Sequence, residues 1–355
     1  MKVLFVFYIP SGGVETLNRQ RCKALQEVGI TSHLLYLSPG KGMQNIKDIP
    51  TYVTNEDHEI RMILDEGNYT AVILVSAYAY LNRFRSLGFN GLLFWEVQGY
   101  GSKPGAREEF RRASAAVLQF CNGVLYPKTP YIMEIAEHFF PAEMRYCFHN
   151  CIDFECFSHK ELPKESEPVM GWVGRIEENK NWRDLLKIGH HLKKQHPKLK
   201  IWMFEDSTLS SPEQRAQFQK LVQELGLEES LTLLDNVPNA EMPDYYSRIA
   251  DSGGFLCSTS KLEGFGYAVL EAICCKCPVL STDSDGVRSF ILHNETGKFY
   301  PHGDISQAVL EASSIMTDGP LRNRLTEKAL ERARMLFSPS VYSQNFRKML
   351  EGRRA

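Results

Sequence analysis

The stretch "GFLCSTSKLEGFGYAVLEAICCKCPVLS", residues 254–281, holds two short apolar runs, Gly254–Ser258 and Cys277–Ser281, with a loop and a helical pattern opened by Gly266 between them. Strands that are apolar throughout and separated by helices imply a parallel sheet covered on both faces. The same alternation extends upstream. Val169–Val173, Lys200–Phe204 and Leu231–Leu234 read as strands, and Trp182–Gln195, Pro212–Leu225 and Met242–Ser247 as helices.

A polar break, "FSHKELPKESEP" at residues 157–168, carries two prolines and no apolar period, which is the composition of a linker. Before it the alternation runs a first time. Val3–Phe7, His33–Leu37, Ala71–Val75, Leu92–Trp95 and Gly123–Tyr126 are strand candidates, and Val14–Val28, Arg107–Leu118 and Pro130–His138 are helical. The expected fold is therefore α/β, with two Rossmann-like doubly wound parallel-sheet domains at residues 1–160 and 161–336. Beyond Asp304 the pattern is helical, and a last helix within 337–355, with Ser338 as N-cap and Pro339 at its first position, is expected to pack back on the first domain.

At 355 residues the chain is long enough for two cores. A hydrophobic fraction of 43%, a charged fraction of 24% and a net charge of -2 argue against a nucleic-acid partner. "VLFVFYIP" runs into "SGGVE" rather than a small-residue cleavage site, so it reads as a strand and not a signal peptide. No apolar run approaches the roughly 20 residues that span a bilayer, so a cytoplasmic location is expected, with peripheral contact at the inner membrane face left open. Nine cysteines include the crowded Cys274, Cys275 and Cys277, which suit a reduced compartment. Cys147, Cys151 and Cys156 with His149 lack a C-x2-C pair and are read as small buried residues rather than a zinc site.

Ligands of open parallel sheets lie beyond the carboxyl ends of the strands, and three stretches stand there. "PSGGVE", residues 10–15, offers Gly12 and Gly13 ahead of a helix, as a ligand contact or as a tight turn. "GRIEENK", residues 174–180, offers Arg175 and Lys180, either to a phosphate or as a solvated helix start. "EGFGYAVLEA", residues 263–272, places Glu263 before the Gly264-Phe265-Gly266 turn and Glu271 about a turn and a half into the helix. That helix N-terminus suits an anion, and Glu271 suits ribose hydroxyls.

Together "GGVE", "GRIEENK", "VPNAEMPDYYSRIAD" and "EGFGYAVLEA" resemble the retaining glycosyltransferases of family 4. The likeness extends over essentially the whole chain, and Glu263 to Glu271 is its most specific element. It implies the GT-B architecture, two domains facing each other across a cleft, and a nucleotide-sugar donor bound mainly by the second domain. Arg175 and Lys180 would neutralise the diphosphate with amides around Phe265–Tyr267, Glu271 would hold the ribose and Glu263 the transferred sugar. The base would lie near Glu205–Ser207 and Val237–Met242, and Gly12 and Gly13 would face diphosphate and acceptor. The acceptor would be a hydroxyl of a glycan, a lipid-linked or a small molecule. No cofactor and no metal are expected, because fixed cations and helix dipoles can stabilise a departing diphosphate.

The chain departs from the family pattern in four places. "FWEVQGYGS" has Glu96, with Gln98 two residues on, where many members place a histidine. Glu96 is either a catalytic residue toward the sugar or a buried structural carboxylate. Lys276 replaces the glycine that closes the helix, which removes the easiest left-handed cap and is expected to bend the local structure. Ser289 stands where an acid is usual, and "HNCID", residues 149–153, makes His149 a hinge residue. "DSD" at residues 283–285 reads as a turn rather than a metal motif. Two alternatives remain: a nucleotide-sugar epimerase or hydrolase on the same fold, and a non-catalytic sugar-binding or partner-stabilising protein.

Overall fold

The computed structural model describes residues 1–352. It divides into two compact units, Met1–Asp153 with the chain from Leu336 onward, and Phe154–Met335. The first division falls at Asp153, before the polar break and not at residue 160. Segment 154–168 is no free linker. Phe157 is fully buried, Lys160 N donates to Ser247 Oγ at 3.0 Å, Arg248 Nε donates to Glu165 at 3.0 Å, and His159 meets Asp251 at 3.0 Å. Polar side chains without an apolar period can still dock when the helix they run along supplies matching polar partners.

In the first unit the strands are β1 (Lys2–Phe7), β2 (Thr31–Tyr36), β3 (Thr51–Val53), β4 (Ala71–Val75), β5 (Leu92–Glu96), β6 (Gly123–Tyr126) and β7 (Arg145–Cys147). They form a seven-stranded parallel sheet in the order β3-β2-β1-β4-β5-β6-β7. Helices α1 (Gly12–Gln26), α2 (Asp57–Gly67), α3 (Leu81–Ser86), α4 (Lys103–Phe120) and α5 (Pro130–Phe139) connect them.

The second unit repeats the plan with β8 (Val169–Val173), β9 (Lys200–Glu205), β10 (Leu231–Asp235), β11 (Phe255–Ser258), β12 (Val279–Thr282) and β13 (Lys298–Tyr300), ordered β10-β9-β8-β11-β12-β13 and parallel throughout. Its helices are α6 (Trp182–Gln195), α7 (Pro212–Glu224), α8 (Met242–Asp251), α9 (Tyr267–Cys274), α10 (Ile305–Thr317) and α11 (Gly319–Leu336). In both sheets the order reverses beside the first strand, between β1 and β4 and between β8 and β11, and that switch point is where such sheets bind ligands.

The last helix, α12 (Pro339–Leu350), begins at Ser338, whose Oγ accepts from Val341 N. Its Tyr342, Phe346 and Met349 join Phe5 and Phe148 in the core of the first unit. Burial of one such aromatic is worth about 1.5–3 kcal/mol. No helix among the described residues is long and apolar enough to cross a membrane.

Lys276 corrects the expected bend. It adopts φ 55°, the left-handed conformation, and the helix end closes regularly, with Lys276 N on Ile273 O at 3.0 Å and Cys277 N on Ala272 O at 2.9 Å. These are the two bonds of a Schellman cap, made here without a glycine.

Candidate functional site

At the switch point of the second unit, the loop after β8 and the loop after β11 are sewn together. Asn179 Nδ2 donates to Leu262 O at 3.0 Å, Leu262 N donates to Asn179 Oδ1 at 3.2 Å, and Lys261 N donates to Asn179 O at 2.8 Å. Below them Thr259 Oγ1 donates to Lys180 O at 2.7 Å and accepts from Trp172 Nε1 at 3.1 Å. The result is a partly buried ion pair, Lys180 Nζ to Glu263 Oε1 at 2.5 Å. Arg175 stands on the same loop with 51% of its side chain exposed, its Nη2 3.0 Å from Glu177.

Gly266, at φ 93°, is the N-cap of α9, and no side chain caps that helix start. The left-handed turn is cheap only for glycine. Phe265 turns its ring into the core against Tyr267 and Phe290, with centroids 4.9 and 5.6 Å away. Gly286 fixes the turn from behind. Its N donates to Glu263 O at 3.1 Å, and a Cβ there would come within 2.7 Å of that carbonyl and 2.8 Å of Phe265 N. Only glycine permits that approach.

Glu271, 4% exposed on α9, accepts from Asn239 Nδ2 at 3.3 Å and from Tyr246 OH at 3.0 Å. Burial first, then the Glu271 charge, hold the Tyr246 hydroxyl well above its ordinary pKa, so it remains a donor. Asn239 lies in the Val237–Met242 loop, so two sequence-expected parts of the site meet here. Val237 itself is partly buried in the same turn. Glu205 ties the neighbouring loops. Its carboxylate pairs with Arg215 Nη1 and Nη2 at 2.5 and 2.7 Å, and its carbonyl accepts from Asn236 N at 2.7 Å. The side chain of Glu205 is thus committed to α7.

In the first unit Gly12 and Gly13 are exposed at the first turn of α1, which no side chain caps. Glu96, at the end of β5, is held in a buried network. It is 1% exposed, paired with the fully buried Arg21 at 2.6 Å, and its other oxygen accepts from Gln98 Nε2 at 2.7 Å. Burial opposes the charge of Arg21, and Glu96 together with the neighbouring Tyr342 and Cys22 outweighs it, leaving that guanidinium raised in pKa. Asn150 Nδ2 donates to Gln98 Oε1 at 2.7 Å, so this network also holds the chain just before the division between units.

His149 packs on Phe337, with ring centroids 4.9 Å apart. Asp283 is bound through both oxygens by Arg288, each at 2.7 Å. Among the described residues no group of three or more His, Cys, Asp or Glu is arranged to hold a metal ion. Sequence reasoning missed Asn179, Thr259, Tyr246 and Arg215. Asn179 and Tyr246 stand inside the motifs "GRIEENK" and "VPNAEMPDYYSRIAD", but nothing local marks Tyr246 or Arg215 as a carboxylate partner.

Two doubly wound units of this strand order define the GT-B class. HepE of Anabaena in complex with UDP-glucose has the same fold, with a TM-score of 0.85 and 16% identity over 99% of each chain. The family "Glycosyl transferases group 1" matches residues 153–332, and this chain belongs to it. Among curated relatives, the N-acetylgalactosamine-N,N'-diacetylbacillosaminyl-diphospho-undecaprenol 4-alpha-N-acetylgalactosaminyltransferase of Campylobacter jejuni is 26% identical over 62% of this chain and 60% of its own length. The 2-deoxystreptamine N-acetyl-D-glucosaminyltransferase of Streptomyces fradiae is 26% identical over 46% of this chain and 37% of its own. The chain therefore spans between 37% and 60% of the length of these relatives.

Proposed function

We propose that this protein is a retaining glycosyltransferase of family 4. It moves a sugar from a nucleotide sugar, with UDP the favoured nucleotide, to a hydroxyl of a glycan, lipid-linked or small-molecule acceptor, without a metal. The observation that carries the reading is the meeting of Lys180 with Glu263, with Arg175 on the same loop as Lys180, at the carboxyl ends of adjacent strands β8 and β11. A cation for phosphate and a carboxylate for sugar hydroxyls then stand at one point, next to a helix N-terminus. The UDP-glucose bound by HepE and the sugar transfer named for the relatives support it.

In this reading Arg175, Lys180 and the amides of the Gly264–Tyr267 turn receive the diphosphate, Glu271 with Asn239 the ribose, and Glu263 the sugar. The bond from the anomeric carbon to the diphosphate oxygen breaks, and its electrons remain on that oxygen. The acceptor hydroxyl attacks the same face, and its proton passes to the leaving phosphate. Negative charge grows on the phosphate as the bond breaks, so the fixed cations bind the transition state more tightly than the ground state.

Arg175→Ala tests the assignment. Transfer at subsaturating donor falls about 10²–10³-fold, the cost of one such contact; transfer at the wild-type rate would remove Arg175 from the site. UDP at a hundred times its dissociation constant stabilises the fold by about 2.7 kcal/mol, readable as a thermal shift. Nucleotide release at full rate without an acceptor would favour hydrolysis or epimerisation instead. Loss of activity in chelator, restored by manganese, would return Asp283 and Asp285 to consideration.

A further inference from the structure

The loop after β12 carries a backbone conformation that an aspartate does not adopt freely. Asp285 holds φ 62° and ψ -62°, and Gly286 N donates to Ser284 O at 2.8 Å, which closes a three-residue turn in its rare and strained form. The neighbouring Ser284 is fully buried, and its Oγ has no hydrogen-bond partner among the described residues. Costs of this kind persist only where the surroundings over-determine the conformation, and they collect at functional sites.

Two sets of bonds hold this turn. On one side it is tied to the loop after β11: Glu263 N donates to Ser284 O at 2.8 Å, Gly286 N also reaches Glu263 O at 3.1 Å, and Thr282 Oγ1 donates to Ser260 O at 2.5 Å. Both backbone groups of Glu263 therefore end on the turn. On the other side a fork closes it, with Arg288 Nε and Nη2 on Asp283 Oδ1 and Oδ2, each at 2.7 Å, and Arg288 N on Asp285 O at 3.1 Å. An exposed ion pair is ordinarily worth little, but a two-pronged pair across one loop fixes geometry as well as charge. Asp283 supplies the grip, since Arg288 Nη1 stands 3.8 Å from Asp285 Oδ1, too far for a hydrogen bond. Arg332 Nε, donating to Ser289 O at 2.8 Å, anchors the far end of the segment to α11.

We propose that Asp283 and Arg288 are positioning residues for Glu263: their fork holds Asp285 in the strained turn, and the turn fixes the backbone from which the Glu263 carboxylate reaches the transferred sugar. The inference rests on the glycosyltransferase reading above and adds to it what sets the aim of that carboxylate. The fork acts through Glu263 and needs no contact of its own with the donor. Once it opens, the strain at Asp285 is free to relax, and Glu263 moves with the turn to which both its backbone groups are bonded.

A double-mutant cycle on the full chain tests this. Arg288→Met lowers kcat about 10²-fold, the cost of a misplacement of about 1 Å, while the affinity for UDP, which lacks the sugar, stays at the wild-type value in calorimetry. Arg288→Lys, which keeps the charge but cannot form the fork, behaves like Arg288→Met. In an Asp285→Gly background, where glycine takes the turn without strain, Arg288→Met costs less than about tenfold in kcat, so the two changes are non-additive. Denaturant unfolding of the same proteins shows the opposite sign: Arg288→Met destabilises more in the Asp285→Gly background, because no strain is left whose release offsets the lost fork. Equal losses of kcat in the two backgrounds overturn the proposal. So does a loss of UDP affinity that matches the loss of kcat, or a lowered stability of Arg288→Met with kcat at the wild-type value. A wild type that turns over no nucleotide sugar is a different failure: it strikes the donor reading, and the unfolding cycle, which needs no substrate, still decides whether the fork holds a strained turn.

Discussion

The two units share one strand order, yet each solves the problem of an ion pair at a strand end differently. In the second unit Lys180 and Glu263 meet at loop tips, partly open, clasped by Asn179 from the side. In the first, Arg21 and Glu96 meet beneath the surface, stacked on Phe5 with the guanidinium 3.6 Å from the ring centroid and bonded on to Asn18 and Gln98. A buried pair contributes order when intact and is costly to break, whereas a pair that keeps about a fifth of its side-chain surface in solvent is less costly to break and can change partners. The scaffold thus fixes where a charge pair can stand, and burial decides how costly the pair is to break.

The largest effect expected from that difference is on stability in the first unit. Glu96→Gln leaves the Arg21 charge without a counter-ion and destabilises by about 3–5 kcal/mol in denaturant unfolding. Arg21→Met in the same chain recovers part of the loss, because it removes the stranded charge. An Glu96→Gln variant as stable as wild type, with transfer abolished, would move Glu96 from the core network into the catalytic site.

Next in size is the loss of transfer in the second unit. Lys180→Met lowers the rate about 10²–10³-fold and destabilises less than Glu96→Gln, because its pair keeps some contact with solvent. Should it unfold as readily as Glu96→Gln, the contrast between the two pairs would be gone. Smaller again is Asn179→Ala, which strips the clasp from the backbone of Leu262 and costs about 1–3 kcal/mol. If Asn179 acts by holding Lys180 opposite Glu263, kcat falls more than donor affinity; equal losses of both would make it a plain stability residue.

How far this arrangement can be read from sequence depends on distance along the chain. Trp182–Gln195 and Val169–Val173 carry long or wholly apolar patterns and appear as expected. Strands β3, β7 and β13 have three residues each, too few for any period, and owe their existence to a neighbour already in the sheet. The site follows the same rule. Lys180 and Glu263 are visible because each stands just after a strand. The partners that set their neighbours' roles are not, since Arg215, Tyr246 and Arg21 lie 10, 25 and 75 positions from the carboxylates they hold. Polar composition also misleads at residues 157–168, where the absence of an apolar period conceals a segment bound to α8 by its polar side chains.

The smallest effect concerns Lys276, at the end of the helix that carries Glu271. The Schellman bonds are in place, so the helix end gains nothing in hydrogen bonding from a glycine. What the lysine costs is its Cβ in a left-handed residue, about 1 kcal/mol. Glycine at that position removes the strain but enlarges the entropy of the unfolded chain, which takes back part of the gain. Lys276→Gly is therefore expected to stabilise by less than about 1 kcal/mol, with transfer unchanged because Glu271 keeps Asn239 and Tyr246. A measurable loss of donor affinity in this variant would show that the lysine side chain, and not the helix end, is what the position supplies.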